Sequence, residues 1–410
     1  MLANAMGCLP CLQSLPPKLR RKGTSARQED GTLVIRLPGQ KGKVTDMYLC
    51  LPPFAAKDDF CRQIAGQFIR LCKRIACKAK NSWDIKACLI REEQFLWDNA
   101  VLSLIYSGNQ KYNALDFLGA ARESSIFRYE GQPVLFGLIA TWNWYLLKPC
   151  LQEQKWTILQ FRERFDLRRR LRYDKASHMM VDGMRSFYVV NPKGFVCSWI
   201  CPPGTALEAW AAKCELIPRA YAQLHDVLIG RDLGLVGNRH GEIYLFSKNL
   251  ALKWNRSGWH RVSGSPISDA LAPYVTPVIA NRIVDTVLNA SENRQGALIV
   301  ISTDTDKLLS RASKGVSKQL KQDHLFHISD VDIETLCRFA AIDGAMIIEN
   351  NGLVRNAGVI LEVPDAFTAT GEGARTAAAA FASITGIAIK VSHDGPISVY
   401  EDGKETRRAG

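Results

Sequence analysis

Two stretches decide the fold of this chain: Ile342–Leu361, IDGAMIIENNGLVRNAGVIL, and Gly371–Tyr400, GEGARTAAAAFASITGIAIKVSHDGPISVY. In the first, Met346–Glu349 is an apolar run of strand length. Asn351-Gly352 is a strong hairpin turn, and Leu353–Leu361 returns as the partner strand. A loop, Pro364–Gly373, leads to an Ala-rich helix at Arg375–Ile384, then a strand at Ile387–Ser392. Asp394-Gly395 turns the chain into a last strand, Ile397–Tyr400. Upstream, Pro273–Leu288 has helical periodicity, Ala297–Ser302 (ALIVIS) reads as a buried strand, and Asp332–Ala341 (DIETLCRFAA) as a helix. The order predicts one α/β domain, a mixed sheet with flanking helices.

Outward from this domain the composition changes. Residues 267–410 hold 14 Lys/Arg against 18 Asp/Glu, whereas the whole 410-residue chain carries a net +13. The first 266 residues therefore carry a net +17, together with all nine Trp and eleven of the twelve Cys. We expect three segments: a flexible basic N-terminus over 1–45, an α+β region over 46–266 and the α/β domain over 267–410. With 47% apolar and 23% charged residues the chain belongs to the folded class. It has no run of 18 apolar residues, so no spanning helix and no membrane partner are expected. The nearest candidate, Pro133–Leu147, is interrupted by Thr141 and Asn143 and reads as a buried helix or strand pair. The N-terminus lacks the basic-then-apolar order of an export signal, and the many cysteines then read as reduced thiols in a cytoplasmic protein.

Within the first 266 residues, Thr32–Leu37 reads as a strand. Ala55–Ala79, Glu92–Tyr106 and Leu207–Leu228 read as helices. Leu233–Val262 alternates short strand-like runs with turn-rich spacers, which indicates an antiparallel meander. Cys8 and Cys11, with Cys197 and Cys201, have the numbers for a zinc site but poor spacing, and separate thiols are the preferred reading. Arg162–Lys175, RERFDLRRRLRYDK, is a basic stripe that suits nucleic acid or phosphate. Phe161, Phe165, Leu167 and Tyr173 either stack bases or anchor the segment. With Glu163, Asp166 and Asp174 interspersed and no nucleic-acid module signature, a solvated helix face is the preferred reading, and a nucleic-acid partner is only weakly supported.

Two loops of the C-terminal domain carry chemistry. Asp343 stands between a helix and a strand, where an acid can hold a divalent metal or take a hydroxyl proton. Gly344 lets backbone approach a ligand closely. In Thr370-Gly371-Glu372-Gly373-Ala374-Arg375-Thr376, glycines and an arginine open a helix, a combination that suits a phosphate.

Taken in order, GALIVIS, IDGAMIIENNGLVRNAGVIL and GEGARTAAAAFASITGIAIKVSHDGPISVY resemble the diadenylate cyclase (DAC) domain of the DisA N-terminal type, over roughly Pro273–Glu405. That family carries a DGA motif and then a glycine-led Arg-His-Arg motif that opens a helix. Here the second motif reads Arg375-Thr376-Ala377, and His393 is a candidate compensating group. The resemblance implies an enzyme that condenses two ATP into cyclic di-AMP and releases pyrophosphate, in a face-to-face dimer. It implies that Asp343 ligates Mg2+ or Mn2+ and assists loss of the 3′-proton. Gly344 and Ala345 would line the nucleotide, Leu361 would contact adenine, and Gly373, Ala374, Arg375 and Thr376 would hold phosphates. Ser392 would lie near the base or ribose. The layout implies a basic N-terminal sensor or regulatory region. The altered motif leaves a second reading open, a non-catalytic sensor of ATP or a cyclic dinucleotide.

Overall fold

The computed structural model describes residues 11–13, 32–38, 44–50, 63–64, 66–68, 70–71, 93–106, 109–125, 128–129, 131–133, 135–167, 180–203, 221–248, 250–255, 258–313, 325–368 and 373–409. Contacts divide the chain into two units, Met1–Ala206 with Gln223–Arg261, and Leu207–Ala222 with Val262–Gly410.

The second unit is built on a seven-stranded sheet. Its elements in chain order are α1 (Ser265–Leu271), α2 (Pro277–Glu292), β1 (Ala297–Ser302), α3 (Thr305–Leu309), β2 (Phe326–His327), α4 (Ile333–Ala340), β3 (Ala345–Glu349) and β4 (Leu353–Val359). They continue with α5 (Asp365–Thr368), α6 (Ala374–Ala382), β5 (Gly386–Val391), β6 (Ile397–Glu401) and β7 (Lys404–Ala409). The strand order is β2-β4-β3-β1-β5-β6-β7. β1 and β3 are parallel, and every other neighbouring pair is antiparallel.

Alternation sorts the side chains of these strands into two apolar layers. On one face Ile299, Ile301, Ile387, Ile389, Met346 and Ile348 pack with Ile283 and Val287 of α2 and Leu336 of α4. On the other, Leu298, Val300, Ala345, Ile347 and Ala388 pack with Ala379 and Ala382 of α6. Local signals set the helix starts. Pro277 begins α2 after an extended Thr276, and the Asp332 carboxylate accepts the Thr335 N–H at 2.8 Å to cap α4.

The α/β class expected from the sequence is the class observed, with differences at the boundaries. β4 ends at Val359, so Leu361 lies beyond it in an isolated bridge to Ala312. α6 ends at Ala382 and gives way to a single 3-10 turn, Ser383–Thr385. The stretch read as a loop before α6 holds α5, and Ile397–Glu401 is followed by a further strand, β7.

The first unit contains an eight-stranded sheet ordered Gly258–Arg261, Leu250–Asn255, Ile243–Ser247, Leu233–Gly237, Phe136–Ala140, Phe187–Val190, Val196–Cys201 and Thr157–Gln160. Its first four strands form the antiparallel meander read from the turn spacing. The Pro133–Leu147 stretch holds a fully buried strand, Phe136–Ala140, followed by the start of the helix Trp144–Glu153. A smaller sheet pairs Cys11–Gln13, Val44–Cys50 and Thr32–Pro38. Helices Glu93–Leu102 and Asn109–Ser125 are tied by a buried ion pair of Asp98 with Arg122, and Trp259 Nε1 donates to the same carboxylate at 2.9 Å. Most of Ala55–Ala79 and of Leu207–Leu228 lies outside the described residues, as does the basic stripe beyond Leu167. The described start of that stripe shows Phe161 and Phe165 edge-on to each other and packed on Tyr188, so both rings anchor the segment. Cys197 and Cys201 lie four residues apart on one strand, about 13 Å along it, too far to share a zinc ion.

Candidate functional site

One end of the seven-stranded sheet gathers the chemistry. The starts of β1, β3 and β6 and the ends of β4 and β5 all lie there, because β1 and β3 run parallel and their antiparallel neighbours run opposite. The N-terminus of α6 reaches the same end.

Asp343 sits in the turn between α4 and β3. Its carboxylate is 91% exposed, and Arg375 Nη2 lies 3.6 Å from its Oδ1. The turn depends on glycine. Gly344 has φ +109°, and a Cβ there would fall 2.6 Å from the carbonyl carbon of Gly358 and 2.7 Å from the Val359 oxygen. Gly358, itself at φ +71°, would drive a Cβ into Ile342 at 2.6 Å. The two glycines let the turn lie flat on β4, with Ala345 paired to Val359. This holds the Asp343 carboxylate out from a rigid base.

Across from it, α6 begins at an extended Gly373, which brings no capping side chain. Gly373 and Ala374 are exposed, and no acidic residue occupies the first turn. The helix thus presents backbone N–H groups and the positive end of its dipole, an arrangement that attracts anions. Arg375, in that turn, leans over Gly296. A Cβ at Gly296 would fall 2.5 Å from Arg375 Nη1 and 2.9 Å from His393 Nε2. The guanidinium and the imidazole thus converge on the bare backbone before β1, a place any side chain would fill. The His393 turn is held by Ser392 N–H donating to the Pro396 oxygen and Gly395 N–H donating to the Ser392 oxygen, both at 2.9 Å. Thr376 is engaged from below, where Lys390 Nζ of β5 donates to its Oγ1 at 2.9 Å.

Asp343, Gly344, Arg375, Thr376 and the start of α6 therefore share one end of the sheet, and Ser392 lies in the turn that carries His393. Leu361 is placed differently. Only 8% exposed, it packs in the apolar layer with Leu298, Val300 and Ala379. The sequence reading did not single out Gly296, Gly358 or Lys390. A lone lysine inside the apolar run GIAIKV was the one signal available for Lys390. Among the described residues no group of three or more His, Cys, Asp or Glu converges as a metal cage. No described helix is long and apolar enough to cross a membrane.

Residues 284–405 match the family model described as DAC, DisA bacterial checkpoint controller nucleotide-binding. The chain carries a DAC domain. The match runs from within α2 to the first residues of β7 and contains Asp343, Arg375, Lys390 and His393. Seventeen chains of solved structures also match. One, a double mutant of DacA from Staphylococcus aureus, is 25% identical with a TM-score of 0.25, covering 32% of this chain and 87% of that one. No curated protein matches the chain. The DAC domain has Cys337 on α4, in the helix that leads to the Asp343 turn. Burial pushes this thiol up to about 11, and its Sγ donates to the Thr286 oxygen at 3.3 Å.

Proposed function

We propose that the protein is a nucleotidyltransferase that condenses two ATP molecules into cyclic di-AMP and releases two pyrophosphates. The observation that carries this reading is the DAC match over residues 284–405 at the sheet end where the Asp343 carboxylate faces the Arg375 guanidinium. In each half-reaction a 3′-oxygen bonds to the α-phosphorus of the other ATP, the bond to pyrophosphate breaks, and the 3′-proton leaves. Such a step asks mainly for alignment and charge neutralisation. The N–H groups at the start of α6 and the Arg375 guanidinium hold phosphate oxygens. Gly344 and Ala345 keep the turn low beside the nucleotide, and Ser392 borders it. The adenine lies toward Leu361, whose burial limits it to an apolar backing. Asp343 accepts the 3′-proton or holds it for transfer to water.

An exposed carboxylate suits a hard divalent cation, so Asp343 is the residue that would hold Mg2+ or Mn2+. Bound there, a cation would supply charge neutralisation for the phosphates. One domain holds one ATP, so the reaction needs two domains face to face. The region of net charge +17 is the sensor or regulatory part of a cytoplasmic enzyme. Arg375-Thr376-Ala377, in place of Arg-His-Arg, favours a second reading in which the domain binds nucleotide without turning it over.

Incubating the full chain with ATP and Mn2+ and identifying the product by mass spectrometry tests the proposal. Cyclic di-AMP that disappears in Asp343→Ala supports it. Tight ATP binding without any cyclic dinucleotide transfers the conclusion to the sensor.

A further inference from the structure

We infer that Lys390, with the Thr376 hydroxyl it holds, forms a second phosphate-binding arm beside Arg375 and makes the site select long phosphate chains. The inference rests on the reading of this sheet end as a nucleotide site. It adds a residue that the motifs do not include.

The argument starts from where the lysine stands. β5 is interior to the sheet, between β1 and β6, and Lys390 is paired with Leu298 on one side and Ser398 on the other. Ile387, Ile389 and Val391 face one apolar layer and Ala388 the other, so alternation turns Lys390 toward α6. An ammonium in that half-buried place loses hydration that a surface lysine keeps. Its Nζ lies 6.0 Å from the Tyr400 ring centre and donates to a neutral hydroxyl at the first turn of α6. Two cations and a helix N-terminus are thereby drawn to one place. Asp343 offsets the guanidinium at 3.6 Å. Two cationic side chains at one helix start favour a ligand with several negative charges.

The number of charges on the ligand gives the selectivity. Arg375 leans over Gly296, whereas Lys390 is paired with Leu298, two residues further along the same strand. These backbone positions are about 7 Å apart, and both side chains reach to the first turn of α6. A phosphate chain, with its several charges, engages the guanidinium and the ammonium together, whereas a single phosphate has less charge to share between them.

The test is calorimetry of the full chain with tripolyphosphate, ATP and adenosine, on wild type, Lys390→Met, Lys390→Arg and Thr376→Val, with thermal unfolding to confirm folding. Lys390→Met is expected to weaken tripolyphosphate and ATP by roughly ten- to hundredfold, as for loss of a charge-assisted hydrogen bond. Adenosine binding should stay unchanged, and Lys390→Arg should restore most of the loss. Thr376→Val, which keeps the volume and frees the ammonium from its hydroxyl, should weaken both phosphate ligands less. Unchanged affinity for tripolyphosphate and ATP in Lys390→Met overturns the inference. So does cyclisation by that variant with an unaltered KM for ATP, which leaves the cyclase reading standing. Tripolyphosphate binding that depends on Lys390 in a wild type that makes no cyclic product does the reverse. Binding of neither ligand by the wild type overturns both.

Discussion

At Gly344 a single missing methyl group decides whether the candidate site exists. With φ +109° and a Cβ position 2.6 Å from the Gly358 carbonyl carbon, Gly344→Ala meets both backbone strain and backbone contact. We expect it to lower stability by about 1–3 kcal/mol, read from urea unfolding. Asp343→Asn is the contrasting case. Its side chain is 91% exposed, so the urea midpoint should stay put while cyclic di-AMP formation falls by at least about a hundredfold. Cys337 offers a chemical check on the packing behind the turn. Because burial raises its thiol to about 11, it should be the last of Cys150, Cys197, Cys201 and Cys337 to be alkylated in the native protein, as peptide mass spectrometry would show. Asp343 and Arg375 were legible in the sequence because each stands within two residues of a glycine near the start of an element. Gly296, Gly358 and Lys390 were not, because what they do depends on neighbours that only the sheet brings close.

Among the elements, those with apolar alternation or a capping signal were legible and those without were not. β1, β3 and β5 announce themselves as runs of Ile, Val and Ala, and α4 begins at a carboxylate cap. β7, KETRRA, is an edge strand with one apolar face position at Ala409, so no periodicity marks it. α3 and α5 are each a turn or so long and offer too few positions for a period of 3.6. In the other unit, Asp232 joins two strands, accepting the Trp142 N–H at 3.3 Å just before Leu233–Gly237. Burial pushes its carboxyl up from 3.8 to about 6. The folded state therefore holds a proton that the unfolded chain has lost. This carboxyl's contribution to stability is fully favourable below about 4, declines as the pH rises to about 6, and is level above. Asp232→Asn should remove that slope, a difference from wild type of about 3 kcal/mol between pH 4 and pH 7 in urea unfolding.

For the whole molecule the first question is how many chains a turnover needs. If two DAC domains must face each other, activity per chain should rise with protein concentration and level off once pairs dominate. Constant specific activity on dilution to a sedimentation-verified monomer would contradict that. The division of charge, +17 against −4, was readable from composition alone, whereas the ligand of the basic region has no residue pattern that names it. The C-terminal unit also has a closure that composition does not reveal: Arg407 Nη1 of β7 donates to the Pro266 oxygen of α1 at 2.9 Å. A helix that precedes the sheet is thus pinned to its edge strand, 141 residues later in the chain. Ile267, Ala270 and Leu271 of α1 share one apolar layer with α2 and with Ala409 of β7, so their cover is complete only with that strand in place. A cut after β6 therefore removes this bond and part of the cover of α1 while its packing on α2 remains, which should make the helix an early site of proteolysis.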